Sequence, residues 1–179
     1  IVCLLGLGRS GSLFLHSLFD GHPSIQTLPG YFFKGWFGEE CWDKISSTEK
    51  GDWREQIANN ICDQFEPQFN ALSKKNVEGQ PNGITDWLAK NKGFTNLGKD
   101  ASEVMILDQD KFKKKFIKLI KPLKELDSRT CFEKIHEAFH HVFRGYENKK
   151  VPQNEAQSVF FNNNFWGRSL AACSSSNTI

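Results

Sequence analysis

The opening of the chain alternates short apolar runs with turn-forming residues. Residues 1–5 form a continuous apolar run rich in β-formers, a pattern typical of a buried parallel strand. Residues 13–19 carry apolar side chains at helical spacing, and residues 20–23 (Asp-Gly-His-Pro) end that helix. Residues 25–28 predict a second short strand. The pattern therefore predicts strand, glycine-rich loop, helix, turn and strand, which is how an α/β domain begins.

Helical spacing of apolar residues dominates the middle of the chain. Residues 53–65 predict one helix, a second begins near Asp108, and a third begins near Ser128. Residues 159–161 predict another strand. From these patterns we expect an α/β fold with a P-loop-like parallel sheet flanked by helices. The helices over about residues 49–145 would form an insertion in that fold.

An aromatic and glycine-rich stretch between residues 31 and 42 follows neither a helical nor a strand period. Two interpretations of this stretch are open. It lines a pocket for an acceptor, or it forms part of the buried core, which is the more common place for large aromatic side chains.

Composition limits the class of protein. The 179 residues are 39% hydrophobic and 25% charged, with 16 Phe and 5 Trp, so a disordered or collagen-like chain is excluded. We expect a single domain over residues 1–179. The net charge of +2 excludes binding of polyanions by bulk charge alone, although a local anion pocket is compatible with it. No apolar run is long enough to span a bilayer.

Five cysteines lie far apart in the chain and form no CxxC pair. They are Cys3, Cys41, Cys62, Cys131 and Cys173. An odd, scattered set predicts free thiols in a reducing compartment, so we expect a cytoplasmic protein. The chain starts without Met inside an expected strand, which predicts a truncated domain whose upstream targeting signals would be missing.

The loop between the first strand and the first helix carries the candidate chemistry. Gly6 and Gly11 have the spacing of a nucleotide P-loop. Ser12 and Leu13, however, stand where that motif has its lysine and its magnesium-binding hydroxyl, and the basic residue is instead Arg9. A magnesium-dependent NTPase or kinase is therefore disfavoured. We expect a metal-free anion site made by backbone N–H groups at a helix N-terminus.

The segment Gly8–Ser12 (Gly-Arg-Ser-Gly-Ser), followed by a helix and the turn at residues 20–23, resembles the N-terminal signature of the sulfotransferases. The similarity is greatest to their tyrosylprotein and bacterial branches and extends little beyond the second predicted strand. It implies that the chain transfers a sulfuryl group from 3′-phosphoadenylyl sulfate (PAPS), its co-substrate, to a hydroxyl or amine acceptor. It also implies a P-loop-like fold.

The resemblance implies roles for the loop residues. Arg9 would be the catalytic residue, neutralising the bridging and sulfuryl oxygens as the bond to the 5′-phosphate breaks. The residues that would bind PAPS are Gly8, Arg9, Ser10, Gly11, Ser12 and Leu13. No metal is expected, because a sulfuryl group carries less charge than a γ-phosphoryl group and a protein cation can replace the ion. The expected partner is a small-molecule, carbohydrate or peptide acceptor and not a nucleic acid.

Two parts of the sulfotransferase pattern are missing. No strand is followed by Arg-Asp-Pro, which would bind the 3′-phosphate, and the nearest candidates are Arg144 and Arg168. Where the tyrosylprotein branch has a glutamate, this chain has Gly30. Glu39 and Glu40 could act as the base or form a solvated acidic pair. A non-catalytic truncated or degenerate domain and a kinase-like nucleotide-binding protein therefore remain open.

Two further patterns offer other functions. Residues 136–140 (His-Glu-Ala-Phe-His) match the zinc-protease motif H-E-x-x-H. His136 lies at the edge of an apolar stripe and no third ligand is identifiable, so we expect a packed or surface histidine pair. The lysine run that begins at Lys113 is typical of the solvated face of an amphipathic helix, with nucleic-acid binding as the alternative.

Overall fold

The computed structural model describes residues 2–5, 12–19, 22, 25–27, 36, 40–49, 51–72, 100, 102, 104–143 and 157–162. The elements in chain order are β1 (Val2–Leu5), α1 (Ser12–Phe19), β2 (Ile25–Thr27), α2 (Cys41–Ser46), α3 (Trp53–Gln64), α4 (Glu66–Phe69), α5 (Gln109–Ile120), α6 (Ser128–Val142) and β3 (Gln157–Asn162).

Most elements predicted from the hydrophobic pattern occur at their predicted positions. The strand–helix–strand opening is present as β1, α1 and β2, and the three longer predicted helices are α3, α5 and α6. The predicted strand near residue 160 is β3. The sequence pattern misses α2 and α4, because six and four residues are too few to show a helical period.

The three strands pair in parallel in the order β1-β3-β2. Leu5 of β1 lies opposite Asn162 of β3, and Thr27 of β2 lies opposite Val159. Because β3 lies between the two N-terminal strands, this small sheet joins segments from opposite ends of the chain.

The buried core is helical. Every apolar side chain found buried in the described part lies between Trp36 and Phe143, in α2–α6 and the segments beside them. The predicted α/β fold, with a P-loop-like parallel sheet flanked by helices, is therefore wrong. Residues 49–145, predicted to be a helical insertion, contain most of the helical body instead.

The apolar faces of α5 and α6 explain this difference. α5 buries Phe112, Phe116 and Ile120, and α6 buries Ile135 and Phe139 among others. Apolar residues that recur every three or four positions bury a helix equally well against a sheet or against another helix. The pattern thus predicts both helices without specifying what each packs against, and here they pack on each other.

Phenylalanine rings join α4, α5 and α6 at the centre of this body. The centroid of the Phe69 ring lies 4.8 Å from that of Phe112 and 5.6 Å from that of Phe139. The rings are tilted by 59° and 58°, an arrangement that adds attraction beyond the burial of apolar area. All three side chains are fully buried.

An aspartate begins each of the three longer helices. The carboxylate of Asp52 accepts a backbone N–H two residues on in α3, and those of Asp108 and Asp127 accept one three residues on in α5 and α6. Each cap satisfies an N–H group that has no partner within its helix. The aspartates therefore explain why α5 and α6 begin where the sequence predicts.

Polar side chains of α3 bind the ends of two neighbouring helices. Arg54 donates from Nη2 to the carbonyl oxygens of Leu123 at 2.7 Å and Lys121 at 3.3 Å, just beyond the C-terminus of α5. Asn60 donates to the carbonyl oxygen of Ile45 in α2 at 3.0 Å. These contacts hold α2, α3 and α5 together at their polar edges.

Candidate functional site

The predicted anion-binding loop lies between β1 and α1. β1 ends at Leu5 and α1 begins at Ser12, so the loop joins a strand to a helix N-terminus as predicted. The predicted site residues that lie outside the described residues are Gly8, Arg9, Ser10 and Gly11. Of the residues expected to bind PAPS, Ser12 and Leu13 form the first turn of α1.

The N-terminus of α1 is electrostatically suited to an anion. The eight-residue helix has no acidic residue in its first turn. The unpaired N–H groups of a helix N-terminus carry a partial positive charge, and a carboxylate in that turn would compete with a bound phosphate or sulfate for it. The first turn therefore fits an anionic group held at the loop.

Parallel pairing brings the end of β3 beside the start of this loop. Leu5, the last residue of β1, lies opposite Asn162, the last residue of β3. The carboxyl ends of parallel strands meet at one sheet edge, where ligands of open sheets commonly bind. The position of Asn162 is not predictable from the sequence, because strand pairing between distant segments leaves no local pattern.

His22 is the one described residue of the turn predicted after α1. His22 donates its backbone N–H to the carbonyl of Phe19 at 3.1 Å, and its own carbonyl accepts the N–H of Ile25 at 3.3 Å. Through these two hydrogen bonds, His22 connects the end of α1 with the start of β2. His22 is exposed and is a turn residue, as the sequence predicts.

The apolar residues of α1 are less covered than the sequence predicts. Phe14 is 69% exposed, Leu18 is 59% exposed and Leu15 is 43% exposed. Phe14 and Leu18 are one helical turn apart and share a face. The expectation that the apolar side of this helix packs against a sheet is therefore wrong for these three side chains.

Glu40, one of the two candidate bases, lies at the N-terminus of α2. It has a left-handed backbone conformation (φ 67°) and an exposed carboxylate 3.8 Å from the Lys44 ammonium. Its neighbour Glu39 lies outside the described residues. The Lys44 contact is typical of a solvated surface pair, which was the alternative to a role as base.

The H-E-x-x-H motif is split between two faces of α6. His136 is 1% exposed, and its ring meets the Phe132 ring edge-on at 4.5 Å between centroids. Glu137 is exposed and forms an ion pair with Lys134 at 2.9 Å. A zinc protease needs both histidines beside one open coordination position, and the His136 ring is instead buried against Phe132.

Burial gives His136 the chemistry of a neutral core residue. It lowers the pKa of the imidazole to about 3, because the charged form would lose its hydration. In the part of the chain that the structure describes, no three His, Cys, Asp or Glu side chains are grouped to hold a metal ion. The motif therefore belongs to the packing of α6.

The three described cysteines are buried free thiols. Burial raises the pKa of Cys41 to about 11 and that of Cys62 to about 12, and it also raises the pKa of Cys131. A thiol is a nucleophile or metal ligand only as its thiolate. None of these three cysteines is therefore suited to catalysis at neutral pH.

The aromatic stretch contributes to the core at Trp36, its one described aromatic residue before α2. The Trp36 ring lies 5.6 Å from Phe132 and 6.1 Å from Phe65, centroid to centroid, and is 1% exposed. Of the two interpretations of this stretch, buried core is therefore confirmed for Trp36. Tyr31, Phe32, Phe33 and Phe37 lie outside the described residues.

The lysines of α5 lie mainly on its solvated side, as the sequence predicts. Lys111 and Lys113 pair with Asp108 and Asp110 at 3.3 and 3.4 Å. Lys114, Lys115 and Lys118 form no ion pair with any described residue. Among the described helices, none is both long and apolar enough to cross a membrane.

Comparison with known proteins does not assign a family. No family model and no solved structure matches the chain. Over 33 residues it is 58% identical to mitochondrial ornithine aminotransferases of Drosophila ananassae and Drosophila melanogaster, and over 31 residues 58% identical to ornithine aminotransferase of Vigna aconitifolia. The matches cover 18%, 18% and 17% of this chain but only 8%, 8% and 7% of those proteins. They support neither a sulfotransferase nor a kinase.

Proposed function

We propose that the chain binds PAPS at the Gly8–Ser12 loop and transfers its sulfuryl group to a hydroxyl or amine acceptor. The observation that carries this proposal is the placement of the Gly-Arg-Ser-Gly-Ser segment between the end of β1 and the start of α1. The closed turn at His22 supports it, since the sulfotransferase signature continues through that turn.

The proposed chemistry rests on Arg9 and on the first turn of α1. In the transfer, the acceptor oxygen or nitrogen forms a bond to sulfur while the sulfur–oxygen bond to the 5′-phosphate breaks. Arg9 neutralises the charge that develops on the oxygens between sulfur and phosphorus. The N–H groups of Ser12 and Leu13 bind the 5′-phosphate, and no metal ion takes part.

The acceptor must also lose a proton. Glu39 and Glu40 are the candidate bases, and either would accept that proton only if it lies within hydrogen-bond reach of the acceptor. A small molecule, carbohydrate or peptide fits this scheme. The free thiols at Cys41, Cys62 and Cys131 support a reducing, cytoplasmic location.

An aminotransferase activity is not proposed. The ornithine aminotransferases share one short segment with this chain, and that segment covers 8% or less of each of them. A segment of that size is too short to form the active site of an aminotransferase.

Calorimetric titration with 3′-phosphoadenosine 5′-phosphate tests the proposal. The folded chain is titrated in parallel with ATP and Mg²⁺, and the Arg9→Ala variant is compared with Arg129→Ala. Arg129 is a matched control, since its guanidinium forms a surface ion pair with Glu133 at 3.2 Å. Loss of a charge-assisted contact at Arg9 should weaken binding of the bisphosphate about 10- to 100-fold.

Each outcome decides between the alternatives. Binding of the bisphosphate alone, weakened by Arg9→Ala and unchanged by Arg129→Ala, supports the proposal. Preference for ATP with Mg²⁺ would favour the kinase-like alternative. No binding of either nucleotide by the folded chain would favour a non-catalytic domain, and both results overturn a sulfotransferase role.

A further inference from the structure

β3 is the strand that joins β1 to β2 in the described sheet. Its residues Val159–Asn162 pair with β1, and its residues Gln157–Val159 pair with β2. Val159 therefore lies opposite Val2 on one side and Thr27 on the other. Neighbouring strands are about 4.8 Å apart, so β1 and β2 are about 10 Å apart. That distance is too long for a backbone hydrogen bond between them.

The two ends of the candidate anion loop are held by different strands. β1 ends at Leu5, where the loop begins, and α1 begins at Ser12, where the loop ends. Among the described elements, α1 has its most extensive contacts with β2. One end of the loop is thus attached to β1 and the other, through α1, to β2. Because β3 joins these two strands, its position sets the distance between the two ends of the loop.

β3 is also the strand that leaves the sheet at the greatest gain in chain entropy. All of α2–α6 lie between β2 and β3 in the sequence, so pairing of β3 closes a very long loop, and closing that loop costs entropy. The strands are short, with four residues in β1, three in β2 and six in β3. Two paired strands alone are at best marginally stable in water, and without β3 not even one described pair remains.

The helical body has packing of its own. α3 packs on α2, α4 and α5, and α5 packs on α6. Phe14 and Leu18, on one face of α1, are largely exposed, so these side chains do not attach the first helix to that body. Proteins open locally in cooperative units, and the unit with less packing opens at the lower free energy. We therefore expect the sheet to open while α2–α6 remain folded.

We propose that β3 is a detachable strand whose insertion between β1 and β2 assembles the anion site. With β3 inserted, Leu5 and Ser12 are held at a fixed separation, and with β3 detached they are not. A ligand that binds only the inserted state shifts the chain toward that state. By linkage, the ligand must also oppose detachment of β3 by the same factor. This coupling to a ligand rests on the function proposed above.

Hydrogen exchange followed by mass spectrometry tests detachment without any ligand. In the full chain, the paired amides of β1, β2 and β3 should be protected to a similar degree and should exchange at least about tenfold faster than those of α5 and α6. Equal protection of the strands and these helices would overturn the proposal, because the sheet would then open only with the whole chain. Protection of β1 and β2 that differs from that of β3 would also overturn it.

A proline in β3 tests whether this strand holds the other two. Val159→Pro removes a backbone N–H from the residue that lies opposite both neighbours. Protection of β1 and β2 should fall at least about tenfold further, while that of α5 and α6 should stay within about twofold. Gln109→Pro is the matched control, since proline is tolerated at the first position of a helix such as α5. Loss of protection throughout the chain in Val159→Pro alone would contradict separate opening of the sheet.

Addition of 3′-phosphoadenosine 5′-phosphate tests the coupling to the site. At about 100 times its dissociation constant, the bisphosphate should slow exchange of the β3 amides about 100-fold. Val159→Pro should weaken its binding at least about tenfold in calorimetry, and Gln109→Pro should leave binding unchanged. Binding that leaves exchange of β3 unaltered would overturn the proposal and leave the proposed function standing. If the unchanged chain binds no bisphosphate, the proposed function fails, and exchange in the unliganded chain still supports or overturns detachment of β3.

Discussion

The indole N–H of Trp36 donates to the hydroxyl oxygen of Ser128 at 3.2 Å. Ser128 is the first residue of α6, whereas Trp36 precedes α2. Most of the helical body therefore lies between these two residues in the sequence. The bond fixes the orientation of a ring that is 1% exposed and packs against Phe65 and Phe132. Trp36 therefore attaches the aromatic stretch to the helices.

Trp36→Phe should lower the free energy of unfolding by about 1 kcal/mol, because it removes the hydrogen bond and keeps most of the ring. Trp36→Ala should cost about 3–5 kcal/mol through the cavity that it leaves. Urea unfolding followed by circular dichroism measures both. In a double-mutant cycle, Trp36→Phe and Ser128→Ala should be non-additive. Simple additivity of the two changes would contradict a direct contact.

Arg54 should stabilise the body by binding the carbonyl groups that follow α5. Arg54→Met keeps the aliphatic stem but loses the bonds to Lys121 and Leu123, so we expect a loss of about 1.5–3 kcal/mol in urea unfolding. Arg129→Met is the control. Its exposed pair with Glu133 should be worth no more than about 0.5 kcal/mol. Equal effects of the two substitutions would refute a special role for Arg54.

His136 should make stability depend on pH in the acid range. The pKa of His136 is about 3 in the folded chain, whereas an unperturbed histidine has a pKa of 6.5, so between these pH values the unfolded chain binds a proton that the folded chain does not. The contribution of the neutral His136 to the free energy of unfolding is fully present above about pH 6.5. It falls by about 1.4 kcal/mol per pH unit as the pH is lowered toward 3.

The His136→Leu variant checks the source of this pH dependence. It should flatten the stability profile between about pH 6.5 and 4 in urea unfolding, since it removes the buried titrating group. His141→Gln, at an exposed position of the same helix, is the control. Burial also lowers the pKa of His140, so part of the slope should remain in His136→Leu. An unchanged slope would exclude His136 as the cause.

The three described cysteines should resist alkylation in the folded chain. Cys41, Cys62 and Cys131 are buried, and burial raises the pKa of each thiol, so almost no thiolate forms at neutral pH. Iodoacetamide at pH 7.5, followed by peptide mass mapping, should label them at least tenfold more slowly in buffer than in 8 M urea, because even a local opening that costs about 1.4 kcal/mol slows the reaction tenfold. Rapid labelling of any of the three in buffer would contradict its burial.

Asp127 should contribute to stability as the cap of α6. Its carboxylate accepts hydrogen bonds from the side chain and backbone of Thr130, which hold its pKa below the usual value. Asp127→Ala should cost about 1 kcal/mol at neutral pH. That cost should shrink as the pH falls through the acid range and the carboxylate becomes protonated. Glu125→Ala, at an exposed neighbouring position, should change the unfolding free energy by no more than about 0.5 kcal/mol.

Only the local structure of the candidate site could be predicted from the sequence. The sequence predicts a strand, a loop and a helix around Arg9, and β1 and α1 occur there. It does not predict that Asn162 lies beside the end of β1, because that position depends on pairing with β3. The exposure of Phe14 and Leu18 was equally unpredictable, since an apolar residue does not specify what covers it.

Local patterns alone determined where the longer helices form and begin. The recurrence of apolar residues in α3, α5 and α6 and the capping aspartates are properties of neighbouring residues, so they were readable before any tertiary contact was known. Only the tertiary structure decided that α5 and α6 pack on each other, that His136 lies inside while Glu137 lies outside, and that Trp36 meets Ser128. Burial is non-directional and rewards any apolar partner, so the choice among partners is made by the whole packed chain.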